Sequence, residues 1–147
     1  MKSRSNGYLE GWSGQHMPDP VYGWDSALTP HLLAIREAGF ETKESCQGGW
    51  KAVGARRTKG SYPYLTLCGP RTRTKRLGSR QVVELGIDPR LNRLERRLIR
   101  EGFDVKRSEW QSETNDLRIS WLGSVPDDAD AQIWWHDLTA LITDCPK

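Results

Sequence analysis

The sequence predicts an α+β fold: a mainly antiparallel sheet built from two helix–hairpin units, with helices on one face and a further C-terminal helix. Three observations support this prediction. A helix that ends at a glycine and leads into an alternating strand occurs twice. The two junctions share Gly, Phe, Lys and Ser at a constant offset, and an amphipathic stretch closes the chain. Because 147 residues suit one domain, we assign 25–147 to a single α+β domain and 1–24 to an irregular N-terminal arm packed on it.

The first unit is predicted to begin with a helix that Thr29 caps and Gly39 terminates. Residues 40–46 then alternate as a half-buried strand, with Phe40, Thr42, Glu44 and Cys46 on one face. The charge of Glu44 makes this alternation imperfect. After a loop rich in glycine, lysine and arginine, residues 62–68 are predicted to form a second strand, antiparallel to the first.

The second unit repeats this order. Asp88 is predicted to cap a helix that ends at Gly102, and strands are predicted at 103–108 and 117–122 around a polar turn. A third helix is predicted at 129–142, with acids at its amino-terminal end. The side chains predicted for its buried side are Ile133, Trp134, Leu138, Leu141 and Ile142.

Composition narrows the class of protein. Hydrophobic residues make up 36% of the chain and charged residues 28%, which is typical of a folded protein. No run approaches the roughly 18 apolar residues of a membrane span, and no apolar stretch follows the basic start. We therefore expect a cytoplasmic protein with no membrane partner. Three widely spaced cysteines predict free thiols, and the sequence predicts no metal site and no cofactor.

Charge is segregated along the chain. Residues 51–80 hold nine bases and no acid, so the other residues hold 22 − 9 = 13 bases against all 19 acids. Such segregation predicts a polyanionic partner. Trp50, Tyr62 and Tyr64 are interleaved with these bases and could stack on a nucleobase. Because the basic loops flank the strand at 62–68, we expect both sets of bases to converge at one end of the hairpin.

The segment that follows the first strand, Ser45-Cys46-Gln47-Gly48-Gly49, is the most site-like run in the chain. Its glycines could let the backbone approach a ligand and turn N–H groups toward an anion. Equally, it could be a plain glycine turn with Cys46 as a small buried hydrophobe. No catalytic residue is predicted. The predicted ligand-binding residues are Ser45, Cys46, Gln47, Gly48, Gly49, Trp50, Arg56, Arg57, Lys59, Tyr62, Tyr64, Arg71 and Arg73.

Two stretches of the chain, 31–48 and 62–67, resemble a group of uncharacterised phage and bacterial proteins. The shared pattern is a helix, a glycine, a strand that ends in an E-S-C-x-G-like run, here Glu44 to Gly48, and a second strand. The same run distantly resembles the wybutosine-synthesis tRNA methyltransferases, whose strand ends in Ser-Cys-Ser-Gly. In this chain Gln47 replaces the second serine.

The charge and the rings predict a binding protein that captures a phosphate-bearing nucleotide-type ligand. The phage resemblance extends this expectation to a counter-defence protein that sequesters a host immune nucleotide signal. Two alternatives stay open: an S-adenosylmethionine-dependent RNA-modifying enzyme, which the second resemblance implies, and a nucleic-acid-binding module. The expected partner is thus an anionic ligand, either nucleotide or nucleic acid, and a homo-oligomer is also left open.

Overall fold

The computed structural model describes residues 18–53, 56–84, 86–108 and 113–147. The predicted arm at 1–24 is therefore described only from Pro18 onward. A short 3-10 helix at Ser26–Leu28 leads into the first α-helix. The elements are α1 (Thr29–Glu37), β1 (Thr42–Cys46), β2 (Gly49–Val53), β3 (Arg56–Ser61), β4 (Tyr64–Leu67), β5 (Arg73–Leu77), β6 (Arg80–Glu84), α2 (Pro89–Arg100), β7 (Asp104–Arg107), β8 (Leu117–Ser120) and α3 (Asp128–Thr143).

The main sheet has four antiparallel strands in the order β1-β4-β8-β7. Each edge strand pairs with the next main-sheet strand of its own helix–hairpin unit, and the central β4–β8 pair joins the two units. Two separate hairpins, β2–β3 and β5–β6, complete the described strands. The predicted fold class is confirmed: an α+β chain with an antiparallel sheet and a C-terminal helix.

The two helix–strand junctions have the same local structure. In each, the glycine amide donates to the carbonyl three residues earlier and the phenylalanine amide donates to the carbonyl five residues earlier. This is the Schellman arrangement, which places the glycine in the left-handed region. Gly39 has φ +101° and Gly102 has φ +92°. The recurring Gly-Phe pair therefore ends each helix in the same way and aims the following strand into the sheet.

A β-bulge accounts for the imperfect alternation of the first strand. Thr42 pairs with Leu67, but Glu44 pairs with the next residue, Thr66, which leaves Lys43 as the extra residue. A bulge of this kind shifts the side-chain alternation by one position. Glu44 and Cys46 therefore do not share a face with Thr42, and the expectation that all three lie on one face is wrong.

One core lies between the sheet and the helices. The inner face of the central strand pair contributes Leu65, Leu67, Leu117 and Ile119, all fully buried. The helices add these buried hydrophobic side chains: Leu32 and Ile35 from α1, Leu91, Leu94 and Leu98 from α2, and Ala131, Trp135, Leu138 and Ile142 from α3. These residues lie on a single side of the sheet, and none of the helices in the described ranges packs on the opposite side.

The buried side of α3 differs from the predicted one. Trp135 is fully buried, Trp134 is only half-buried and Ile133 is 48% exposed. The buried residues Ala131, Trp135, Leu138 and Ile142 recur at helical spacing. The predicted buried side contained Trp134, whereas the structure buries Trp135. Either ring can complete the apolar side of the helix, so the sequence pattern did not distinguish them.

The helix caps agree with the sequence at α2 and differ at α1. Asp88 accepts hydrogen bonds from the amides of Arg90 and Leu91, at 3.1 and 3.2 Å, and so confirms the predicted cap. Thr29, in contrast, is the first residue of α1, and its hydroxyl donates to Asp19 at 2.7 Å. The 3-10 turn before α1 continues directly into the helix, so the predicted threonine cap is wrong.

The basic stretch folds into hairpins where loops were expected. β2–β3 connects β1 to β4, and β5–β6 follows β4. The Tyr64 end of β4 lies beside Cys46, where the first hairpin leaves the sheet, whereas the second hairpin follows the Leu67 end. The two sets of bases therefore leave β4 at opposite ends, and the expected convergence at one end is wrong. Gly78-Ser79, a typical two-residue hairpin turn, was the local signal for β5–β6.

His31 is the buried titratable group of α1. Its Nδ1 lies 2.8 Å from the hydroxyl of Thr139 on α3. Burial, reinforced by the nearby His136, lowers the pKa of His31 to about 4. The ordinary value in an unfolded chain is about 6.5. Between about pH 4 and pH 6.5 the unfolded chain therefore binds more protons at this histidine than the folded protein does.

The stability contributed by neutral His31 should be complete above about pH 6.5 and lost as the pH falls towards 4. Replacing His31 by Gln should flatten the decline in unfolding free energy across that window, as measured by urea denaturation at successive pH values. His136→Gln is the control, because His136 is exposed, and it should retain most of the slope. Equal slopes in wild type and His31→Gln would contradict this assignment.

Candidate ligand-binding site

The side of the main sheet opposite the core, called the outer face here, is defined by the strand register. Tyr64 on β4 pairs with Cys46 on one side and Ser120 on the other, and these three side chains form one row. The next row places Glu44, Thr66, Arg118 and Lys106 across the four strands. Polar and aromatic side chains therefore replace the leucines of the inner face.

Arg118 is the central cation of the outer face. Its guanidinium carbon lies 4.2 Å from the centroid of the Tyr64 ring, and its Nη1 lies 3.5 Å from Glu44 Oε2. Because Arg118 and Glu44 meet across β4, they cover Thr66, whose buried hydroxyl has no hydrogen-bond partner among the residues that the structure describes. The ion pair is half-exposed and contributes about 1 kcal/mol or less. The Tyr64 ring thus supports one side of the guanidinium while 44% of the Arg118 side chain remains exposed.

An open cleft of about 650 Å³ lies beside Arg118. Its volume is within the range of small-ligand pockets, about 300–1,000 Å³. The cleft is bounded by the base of the β2–β3 hairpin, the segment that enters β4, and the loop that follows β8. Among the described lining residues, Arg118 is the single ionised side chain. The lining side chains that could contact a ligand are Cys46, Tyr62, Tyr64, Arg118, Ser120 and Trp121.

Two further rings border the cleft. Trp121 is fixed at both ends: its backbone amide donates to the Pro63 carbonyl at 3.0 Å, and its indole N–H donates to the Ser124 carbonyl at 2.8 Å. Tyr62 also lines the cleft, and it is 49% exposed. The cleft therefore combines aromatic surfaces with one cation, which suits a ligand that has both a flat ring and a negative charge.

Cys46 lies in the cleft beside a hydroxyl group. Its thiol is half-buried, and Sγ lies 3.6 Å from Ser61 Oγ. None of the three cysteines, which all lie in the described ranges, forms a disulfide bond. Cys46 and Cys68 lie at opposite ends of the β1–β4 pair, and burial raises the pKa of the Cys68 thiol.

The glycine turn after Cys46 lies inside the protein rather than in the cleft. Gln47, Gly48 and Gly49 are buried. A Cβ added at Gly48 would collide with Pro63, and one at Gly49 would lie 2.5 Å from a carboxylate oxygen of Asp128. Close packing therefore explains both glycines. Their predicted contact with a ligand, and that of Gln47, stays a prediction that the cleft does not need.

The remaining predicted site residues lie elsewhere. Ser45 pairs with Leu65, one position from Cys46 along β1. Arg71 and Arg73 belong to the segment beyond the far end of β4, away from the cleft. The side chains of Trp50, Arg56, Arg57 and Lys59 fall outside the described residues, although their backbone forms β2 and β3.

Arg118, Ser120 and Trp121 are lining residues that the sequence did not indicate. They follow the basic stretch by nearly forty positions, and only the pairing of β8 with β4 brings them to Tyr64. A local signal existed for Arg118. It stands between Leu117 and Ile119, so the strand alternation places it on the face opposite to the core.

Within the described ranges, no group of three or more His, Cys, Asp or Glu residues has a geometry that could hold a metal ion. No helix of the described chain has the length and apolar character of a membrane span. Comparison of the chain with family models, with curated proteins and with solved structures found no match in any of the three.

Proposed function

We propose that this protein is a binding protein that captures a phosphate-bearing, nucleotide-type ligand in the cleft on the outer face. One observation supports the proposal most directly. The guanidinium of Arg118 is positioned on the Tyr64 ring inside a cleft whose described lining has further aromatic rings and no carboxylate. A cation beside rings suits a nucleotide because a base has flat faces and a phosphate has negative oxygens.

The chemistry of binding follows from the contacts of Arg118. A guanidinium presents several N–H donors in one plane and forms paired hydrogen bonds with phosphate. Its exposed plane, or the rings of Tyr62 and Trp121, can carry a stacked base. A phosphate would replace Glu44 as the anionic partner of Arg118, and this exchange costs little because the existing ion pair is long and half-exposed.

The phage resemblance adds a biological form of this proposal. A host immune nucleotide signal is a phosphate-bearing nucleotide, so its capture by a counter-defence protein needs the same cation and rings. Sequestration requires tight binding without turnover, and the ligand should therefore be recovered unchanged. The cleft chemistry supports the ligand class, and the resemblance supports the biological role.

The cation of the cleft can be tested by Arg118→Gln, which keeps a planar polar side chain and removes the charge. Loss of a charged hydrogen bond costs about 1.5–3 kcal/mol, so nucleotide affinity should fall about tenfold to a hundredfold. Isothermal calorimetry at low salt with nucleoside mono- and triphosphates and cyclic dinucleotides measures the effect. Arg93→Gln on the exposed side of α2 is the matched control and should bind like wild type.

Two results would contradict the proposal. If no nucleotide in the panel binds, the proposed function is wrong. If Arg118→Gln and Arg93→Gln lose affinity equally, the nucleotide does not bind in the cleft. Mass spectrometry of the ligand after incubation separates capture from catalysis. A chemically altered ligand would favour the RNA-modifying enzyme instead.

A further inference from the structure

The β5–β6 hairpin is an exposed two-stranded ribbon. All five residues of β5 are exposed, and four of the five in β6 are exposed, with Val83 half-buried. The strands pair in register from Arg73–Glu84 at the root to Leu77–Arg80 at the tip, and Gly78-Ser79 closes the turn. The ribbon thus presents both of its faces to solvent.

Positive charge predominates along this ribbon from its root to its tip. Between residues 71 and 84 the chain has five bases and one acid. The acid, Glu84, is at the root and lies 4.0 Å from Lys75. In the part of the chain that the structure describes, no carboxylate forms an ion pair with Arg73, Arg76 or Arg80. These exposed guanidiniums are therefore available to an external anion.

The root of the ribbon is attached to the domain. The backbone amide of Asn115 donates to the Pro70 carbonyl at 2.8 Å, and the amide of Thr72 donates to the Glu113 carbonyl at 2.8 Å. Asp116 accepts hydrogen bonds at 2.9 Å from both the Gly69 amide and Lys43. Burial acts to raise the pKa of Asp116, but these hydrogen bonds outweigh it and lower the pKa. The ribbon therefore projects from an ordered base.

We propose that the β5–β6 ribbon binds the phosphate backbone of double-stranded DNA by entering the major groove. Antiparallel strands lie about 4.8 Å apart, and the major groove, about 12 Å wide, admits a two-stranded ribbon. Residues 71–84 contain no aromatic side chain, so they lack the stacking surfaces that single-stranded nucleic acids use. The major groove of duplex RNA is too deep and narrow for side chains to read.

This surface is separate from the outer-face cleft, because the ribbon follows the end of β4 distant from Tyr64. The two proposals can therefore fail independently. Variants of the ribbon should leave nucleotide binding in the cleft unchanged.

The test uses the full chain and a short, fluorescently labelled B-form DNA duplex, with fluorescence anisotropy as the readout. The double variant Arg76→Gln/Arg80→Gln should weaken duplex binding about tenfold or more at low salt. Each phosphate contact contributes about −0.9 to the slope of log affinity against log salt. Loss of two contacts should therefore make the slope shallower by about 1.8 between about 50 and 200 mM salt.

The matched control is Arg93→Gln/Arg96→Gln, which removes the same charge from the exposed side of α2. It should retain the wild-type slope. Equal weakening by the two double variants would show a diffuse effect of net charge and overturn the proposal. Absence of duplex binding at low salt would overturn it too, as would tighter binding of single-stranded DNA or duplex RNA of equal length. Circular dichroism confirms that each variant remains folded.

Discussion

Replacing Trp135 by Ala is expected to lower the free energy of unfolding by about 3–5 kcal/mol, the range for deleting a large buried aromatic side chain. Trp135 is fully buried, and its ring packs edge-on against Trp134 at a centroid distance of 5.3 Å. Its indole N–H also donates to the carbonyls of Cys46 and Gln47, at 3.2 and 3.1 Å. The substitution therefore opens a cavity and leaves two carbonyls without their shared donor.

Urea denaturation of Trp135→Ala measures this loss. Trp135→Phe keeps most of the ring and removes the N–H, so it should cost about 1–3 kcal/mol and isolate the hydrogen-bond contribution. The free energy of unfolding of this milder variant can still be measured if the alanine variant does not fold. A loss near zero in both variants would contradict the position of Trp135 as the core tryptophan of α3.

Gly48→Ala is the second change with a large expected effect, a destabilisation of about 2–4 kcal/mol. Gly48 has φ +78°, and an added Cβ would collide with the ring of Pro63 and lie 2.6 Å from its backbone nitrogen. Neither the strand end nor the proline can move aside easily, since Pro63 accepts a hydrogen bond from Trp121. The substitution combines backbone strain with overpacking.

Gly78→Ala is the matched control for this experiment. Gly78 has φ +64°, but nothing lies within 4 Å of its added Cβ, so it should show the backbone strain alone, about 1–2 kcal/mol. The difference between the two variants, read from thermal or urea unfolding, reports the contact with Pro63. Equal effects at both glycines would mean that close packing does not explain Gly48, and would favour its predicted role in ligand binding.

Local patterns predicted most of the fold. The Gly-Phe junctions, the Asp88 cap and the alternation of β8 depend on neighbours in sequence, and these features appear in the structure as expected. The bulge at Lys43 and the choice between Trp134 and Trp135 depend on contacts with other elements. Such contacts leave little trace in a short window of sequence.

The candidate site was less predictable for the same reason. Cys46, Tyr62 and Tyr64 belong both to the predicted set and to the cleft. Arg118, its central cation, is far from the basic stretch and reaches Tyr64 only through the β4–β8 pairing. The charge pattern indicated a contiguous run of bases, whereas the cleft is formed by residues from separate parts of the chain.

The union of the two helix–hairpin units at the β4–β8 pair has a consequence for folding kinetics. Each helix and its edge strand are close in sequence and can form early. The β4–β8 pair, in contrast, joins Tyr64 to Ser120 and Leu67 to Leu117, which are about fifty residues apart in sequence. Closing such long loops carries an entropic cost before any contact repays it. The docking of the two halves is therefore the expected rate-limiting step, and the ligand cleft, which both halves line, is complete only once that step has occurred.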